Sequence, residues 1–155
     1  MRKITLVAVG RLKERYWREA ADEYLKRLRP YAQVEVAEVA DRDVTRDERR
    51  ARVEEGVDAL RALPDATWVV ALDIGGKARS SEAFARHLAR LADERRSSVA
   101  FVIGGAAGLA PEVLARADER FSLGPMTLPH QLARVVLLEQ LYRAFRIQRG
   151  EPYHR

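Results

Sequence analysis

Cysteine is absent from the 155 residues, which excludes disulfide scaffolds, Cys-ligated zinc, iron–sulfur clusters and cysteine nucleophiles. Histidine is nearly as scarce. His87, His130 and His154 stand far apart, a spacing that argues against a multi-histidine metal centre. Long hydrophobic runs are missing too. The longest are six-residue stretches such as residues 4–9, far short of the roughly 18 residues of a membrane span, and the apolar stretch that follows Met1 is too short for a signal-peptide core. No Gly-Lys-Ser/Thr occurs, so there is no P-loop. None of Ser80, Ser81, Ser97, Ser98 and Ser122 sits in a Gly-x-Ser-x-Gly elbow, and no acidic cluster suggests a magnesium site. What remains is one α/β domain over residues 1–155, expected in the cytoplasm, with 47% hydrophobic residues to build a core.

The charge of +5 is unevenly spread. Residues 1–31 carry nine bases against four acids, residues 130–155 five against two, and the middle of the chain is mildly acidic. Tyr16, Trp17, Tyr24 and Tyr31 are interleaved with the N-terminal bases. That is the composition of a helix facing nucleic acid, and equally of an amphipathic helix with a solvated basic face and aromatic core residues.

Apolar runs at residues 4–9, 34–39, 68–72, 99–103 and 120–123 read as strands. Helices are expected at 14–28, 45–63 (with Thr45 and Glu48 in capping-box spacing), 81–93, 111–117 and 131–148. Residues 73–77 read as a loop closing the third strand, and 150–155 as a tail. Strands that are apolar throughout and alternate with helices imply a mainly parallel sheet covered on both faces. In the last helix Leu132, Val135, Val136, Leu137, Leu138, Leu141, Tyr142 and Phe145 wrap most of the circumference. Such a helix is buried on more than one side, either in the core or against a second subunit.

Ligands of open α/β folds bind beyond the carboxyl ends of the strands. Three of those ends are unusual: Leu72-Asp-Ile-Gly-Gly-Lys77, Ile103-Gly-Gly-Ala-Ala-Gly-Leu109 and Leu123-Gly-Pro-Met-Thr-Leu128. Glycine there lets backbone approach a ligand and exposes N–H donors, which suits an adenosine-type cofactor held by main chain and apolar side chains. His130, at the start of the last helix, is either a base or a local cap. Asp73 is a ribose ligand or a loop cap, and Lys77 meets phosphate or solvent. His87, between charged residues on its helix, reads as a surface position. A terminal Tyr153-His154-Arg155 would ordinarily be a frayed end.

Taken together the segments resemble one family. Leu6-Val-Ala-Val-Gly10, Leu72-Asp-Ile-Gly-Gly-Lys77, Phe101-Val-Ile-Gly-Gly-Ala-Ala-Gly-Leu109, Ser122-Leu-Gly-Pro-Met-Thr-Leu-Pro-His130, Glu139-Gln-Leu-Tyr-Arg-Ala144 and Pro152-Tyr-His-Arg155 span nearly the whole chain. They resemble the small SPOUT-superfamily methyltransferases that modify N3 of a pseudouridine in bacterial large-subunit ribosomal RNA. The resemblance implies a five- to six-stranded sheet with a C-terminal trefoil knot, a homodimer, S-adenosylmethionine as methyl donor, no metal, and the assembled ribosome as substrate. By motif, Leu72, Gly104, Leu123, Gly124, Pro125, Met126, Thr127 and Leu128 would line the cofactor site. His130, Tyr153, His154 and Arg155, with Arg143 beside them, would form the RNA-facing active site. The pair Ala106-Ala107 departs from relatives that have a polar or acidic residue in that loop. Two rivals remain: a non-catalytic ribosome- or RNA-binding factor of the same fold, and an adenine-nucleotide hydrolase, which the missing phosphate loop and metal cluster disfavour.

Overall fold

The structure, a computed structural model, describes residues 2–153. Residues 4–9 are buried without interruption, which only a strand flanked on both sides and covered on both faces allows. They form β1 (Arg2–Val9). Along the chain follow α1 (Arg15–Leu28), β2 (Ala32–Val39), α2 (Glu48–Ala62), β3 (Trp68–Ala78), α3 (Ser81–Asp93), β4 (Ser98–Ile103), α4 (Pro111–Arg116), β5 (Glu119–Ser122) and α5 (His130–Gln148). The five strands make one sheet in the order β2-β1-β4-β3-β5, with every pairing parallel. Leu6 stands opposite Val36 on one side and Phe101 on the other.

Alternate residues of these strands serve different layers, as a two-residue side-chain period requires. Ile4, Leu6, Val70, Val99 and Phe101 face a larger core shared with α1, α3 and α5. Val7, Val69 and Val102 face a smaller one with Ala59 of α2 and Val113 of α4. In the larger core Phe84 stacks on Phe121 with centroids 4.9 Å apart, and Tyr31 stacks on Phe145. Every residue of α5 from 130 to 147 is at least half-buried, because the helix lies between α1 and α3.

Three local expectations are corrected. Helix α2 starts at Glu48 with Asp47, not Thr45, as its cap: the Asp47 carboxylate accepts the Arg50 N–H at 3.0 Å. Asp43 has already engaged Thr45, accepting its N–H at 2.9 Å and its hydroxyl at 2.6 Å. Residues 73–77 are not a terminal loop. β3 continues to Ala78, with a register break in which Leu72 and Lys77 both pair with Phe121. The intervening residues bulge out of the sheet, and a Cβ at Gly76 would lie 2.7 Å from the Phe121 nitrogen. His87 is not a surface residue. Its Nε2 lies 2.8 Å from both oxygens of Glu119, which also accepts the Trp68 indole N–H at 3.1 Å.

Gly56 marks the closest approach of α2 to the segment before α4. A Cβ there would sit 2.9 Å from Ala110 Cβ and 3.3 Å from Val113 Cγ2. Gly56→Ala gains up to about 1 kcal/mol of helix propensity, but overpacking against short, immobile groups costs about 1–3 kcal/mol. We expect the melting temperature to fall in a calorimetric scan; a rise would mean that α2 and α4 separate freely.

Candidate active site

The bulge of β3 and the chain leaving the carboxyl ends of β4 and β5 meet at one edge of the sheet and line a cavity of about 700 Å³. Leu72, Asp73 and Ile74 come from the bulge in β3, Ile103, Gly104, Gly105, Ala106, Gly108 and Leu109 from the chain after β4, and residues 121–130, except Pro125, from the end of β5 into α5. The size suits one cofactor-sized ligand.

Each loop is shaped by local hydrogen bonding. Gly108 N–H donates to Gly105 O at 3.1 Å, folding 104–108 into a tight reversal in which Gly108 takes a φ of +77°. Gly104 then lies so close under Gly108 that a Cβ would be 2.8 Å from the Gly108 carbonyl carbon. After β5 the Ser122 hydroxyl accepts the Gly124 N–H and donates to Gly124 O, a closed turn in which Gly124 takes a φ of +125°. Two apolar side chains stand on the rim with nothing over them: Met126 is 83% exposed and Ile74 62%.

His130 closes the cavity from the α5 side. Its ring rests beside the loop after β1: a Cβ at Gly10 would be 3.7 Å from His130 Cε1 and 3.8 Å from Asp41 Cβ. Burial lowers its pKa, and the nearby Arg134 cation lowers it further, against partial opposition from Asp41 and Glu14. The imidazole is therefore neutral near pH 7 and able to accept a proton. Arg134 itself is 3% exposed. It donates from Nη1 to Glu38 at 2.6 Å and from Nη2 to Gly10 O at 2.8 Å, which fixes the Gly10 turn against α5.

Behind the 104–108 loop lies Glu55, 2% exposed. Its Oε2 accepts the Arg42 N–H at 2.8 Å, while Oε1 has no hydrogen-bond partner. Burial raises its pKa, so the carboxyl keeps its proton to higher pH than an exposed glutamate.

Other expected site residues gather elsewhere. Glu139 receives Arg143 Nε at 3.0 Å and the Tyr153 hydroxyl at 2.6 Å, and the Arg143 guanidinium lies 3.8 Å from the Tyr153 ring centre. Burial, and then the Glu139 carboxylate, push the Tyr153 phenol up to about 12. Tyr153 is a hydrogen-bond donor at neutral pH and not a base. Glu151 accepts from Arg146 at 2.6 Å and from Tyr31 at 3.0 Å, so the chain as far as 153 is docked on α5. His130 and Arg143 are 13 residues apart on one helix, about 20 Å at 1.5 Å per residue. One copy of the chain does not bring them together.

Leu72, Gly104, Leu123, Gly124, Met126, Thr127, Leu128 and His130 thus share one cavity. Pro125 is adjacent without lining it, Tyr153 and Arg143 form a second cluster, and His154 and Arg155 lie outside the described residues. Asp73 also lines the cavity and lies 3.8 Å from Arg120, whereas Lys77 is exposed along β3. Sequence reasoning missed Gly10, Asp41, Arg134 and Glu55. The one available signal was Arg134, a lone charge on the apolar face of α5. Among the described residues no group of three or more His, Asp or Glu side chains is placed to hold a metal ion, and no helix is long and apolar enough to cross a membrane.

Comparison with known proteins matches this arrangement to a family. A family model described as "Predicted SPOUT methyltransferase" matches residues 2–154. The chain is 53% identical over 157 residues to the ribosomal RNA large subunit methyltransferase H of Listeria welshimeri, covering 98% of this chain and 99% of that protein. Among solved structures, a probable methylase family protein from Haemophilus influenzae superposes with a TM-score of 0.57 at 13% identity, over 99% of this chain and 70% of that one. A Legionella pneumophila protein solved with the cofactor SAM bound superposes with a TM-score of 0.51 at 14% identity, over 92% and 66% of the two chains. At such identities the structural likeness is one of fold.

Proposed function

The chain belongs to the SPOUT methyltransferase family, and from that premise we propose that it transfers the methyl group of S-adenosylmethionine to N3 of a pseudouridine in large-subunit ribosomal RNA. The substrate is the assembled ribosome, which puts the reaction in the cytoplasm, and the working form is a homodimer. The name of the 53% identical relative supports the ribosomal RNA substrate. The observation that carries the reading is the cavity at the ends of β3, β4 and β5, with its glycine-narrowed 104–108 wall and a neutral His130 at its edge. A non-catalytic binding factor would have no use for it.

The residues fit the cofactor. The wall at Gly104 leaves no room for a side chain, so a ligand there meets backbone, and Leu72, Leu123 and Leu128 offer apolar surface to an adenine. S-adenosylmethionine supplies an electrophilic methyl group when bound. The chain's own part is to place the ring nitrogen in line with that methyl, exclude water and take one proton. His130 accepts the N3 proton. Arg143, kept cationic by Glu139, steadies the anionic ring, and Tyr153 positions both. His154 and Arg155, outside the described residues, are assigned to the same active site on the family motif alone.

Those groups meet only between two subunits. Leu132, Val136, Glu139 and Arg143 recur at four-, three- and four-residue spacing on the outward stripe of α5. Two copies of α5 packed antiparallel about Val136 would set His130 of one opposite Arg143 of the other. The family's trefoil knot in the C-terminal half belongs to the same reading.

Labelled S-adenosylmethionine, whole ribosomes lacking the modification, and free large-subunit RNA test it. The expected result is label in ribosomes and little in free RNA. Bound cofactor without transfer would overturn the substrate, and neither binding nor transfer would overturn the function. Full activity in a species that sediments as a monomer would overturn the dimer.

A further inference from the structure

A second cavity, of about 680 Å³, lies between the loop after β1, α1, β2 and α5. Its polar lining is Arg11, Lys13, Arg18, Asp22, Glu38 and Arg134. Glu38 is already matched by the buried Arg134. Arg18 is spent on the loop itself, donating to the carbonyls of Leu12 and Lys13. Arg11 and Lys13 are exposed, and among the described residues neither makes an ion pair. Helix α1 opens on this loop with no acidic residue in its first turn and no side-chain cap. Asp22 in the lining and Glu14 at the start of α1 are left against Arg11, Lys13 and Arg18, so the cavity keeps a net positive field.

The two cavities share a wall. Arg134, in the second, donates to Gly10 O, and Gly10 lies against His130, in the first. His130 and Arg134 are one helical turn apart, about 5–6 Å. A nucleotide turned out of its stack so that its base reaches His130 keeps its flanking phosphodiesters within one nucleotide's length of this shared wall. Backbone contacts of this kind set the register of a nucleic acid without reading its sequence.

We propose that this second cavity is a subsite for the RNA backbone flanking the methylated nucleotide, with Arg11 and Lys13 as its phosphate contacts and the Arg134–Gly10 hydrogen bond coupling it to the site of transfer. The proposal rests on the RNA methyltransferase reading above.

The test compares the full-length protein with an Arg11→Ala/Lys13→Ala double variant. A second double variant, Arg46→Ala/Arg49→Ala, removes the same charge ahead of and at the start of α2, away from this cavity. Ribosome binding is measured by co-sedimentation over a range of salt, separately from methyl transfer. Each lost contact to a single-stranded backbone lowers the slope of log K against log salt by about 0.7. The expected drop is therefore about 1.4 for Arg11→Ala/Lys13→Ala and much less for the α2 pair. KM for ribosomes rises about tenfold or more, while S-adenosylmethionine affinity and turnover at saturating ribosomes stay within twofold. An unchanged slope, an equal drop in both variants, or loss of the dimer in the first variant alone would overturn the subsite, the last by making the groove a protein interface. Absence of salt-dependent ribosome binding by the unaltered protein would overturn it too. Salt-dependent binding without methyl transfer would count against the enzymatic reading and leave the subsite standing.

Discussion

Gly104→Ala should sharply weaken cofactor binding while leaving a folded protein. The added Cβ would meet the Gly108 carbonyl carbon at 2.8 Å and its oxygen at 2.9 Å, and both are backbone atoms with no rotamer to escape into. Relief requires one of two movements. Gly104 could retreat toward β4, but residues 99–103 are buried without interruption, 99–102 are paired on both sides and Ile103 is paired with Ala8. Otherwise the 104–108 reversal must open, breaking the Gly108–Gly105 hydrogen bond that shapes the cavity wall. The second is cheaper, since it costs about 1 kcal/mol of net hydrogen bonding at a partly solvated loop. The damage therefore falls on binding more than on stability. Calorimetric titration should show S-adenosylmethionine affinity reduced at least about 100-fold, equivalent to about 2.7 kcal/mol, with only a few degrees lost in melting temperature. Gly108→Ala supplies the contrast. It adds strain at a φ of +77° but meets no atom within 4 Å, so its penalty is the roughly 1–2 kcal/mol of a left-handed residue. Affinity within threefold of the original in Gly104→Ala would mean that the wall does not contact the ligand.

How far such a site can be read before the structure depends on whether its cause is local. The strands were legible because residues 4–9 of β1 and 99–103 of β4 are covered on both faces, so the runs are apolar apart from the buried Thr5. The three glycine-bearing exits from β3, β4 and β5 were legible for a related reason: backbone must turn sharply where a strand ends at a ligand edge. The bulge in β3 was not. Asp73, Ile74, Gly75 and Gly76 look like a turn, and only the pairing of Lys77 and Ala78 with β5, more than 40 residues later, returns them to the sheet. His87 was misread for the same reason. It lies between Arg86 and Arg90 in the chain, but its partner Glu119 arrives from the far edge strand. Asp41, Glu55 and Gly10 were invisible as site residues, because each matters only through a contact brought by the parallel crossovers. The 20 Å between His130 and Arg143 was a simple consequence of one long helix, yet motif resemblance alone listed both residues as one site. Helix geometry keeps them apart within one chain.

His130→Ala should lower turnover about 10²–10⁴-fold, the usual worth of a positioned general base, with S-adenosylmethionine affinity little changed because cofactor contacts come mainly from the strand-end loops. The pH dependence separates this from a structural effect. The imidazole pKa is lowered first by burial and next by the Arg134 cation, so kcat/KM should fall on acidification only below the ordinary imidazole range. Arg134→Met removes the second cause. The acid limb of the profile should therefore move to higher pH. Arg134→Lys keeps a cation beside His130 and should leave the limb near its original position even if the fork to Glu38 and Gly10 is imperfect. Stability follows the same linkage. A histidine with a depressed folded-state pKa leaves the unfolded chain holding more protons between the two pKa values, so the protein loses stability as pH falls through that window. Arg134→Met should flatten this loss at acid pH even as it costs about 1–3 kcal/mol at neutral pH by leaving Gly10 O without its donor. An acid limb that stays in place in Arg134→Met, in a protein that still folds and binds cofactor, would assign the proton to a group other than His130. Glu55 would then be the next carboxyl to test, since it lies behind the same loop and also holds its proton beyond the usual glutamate range.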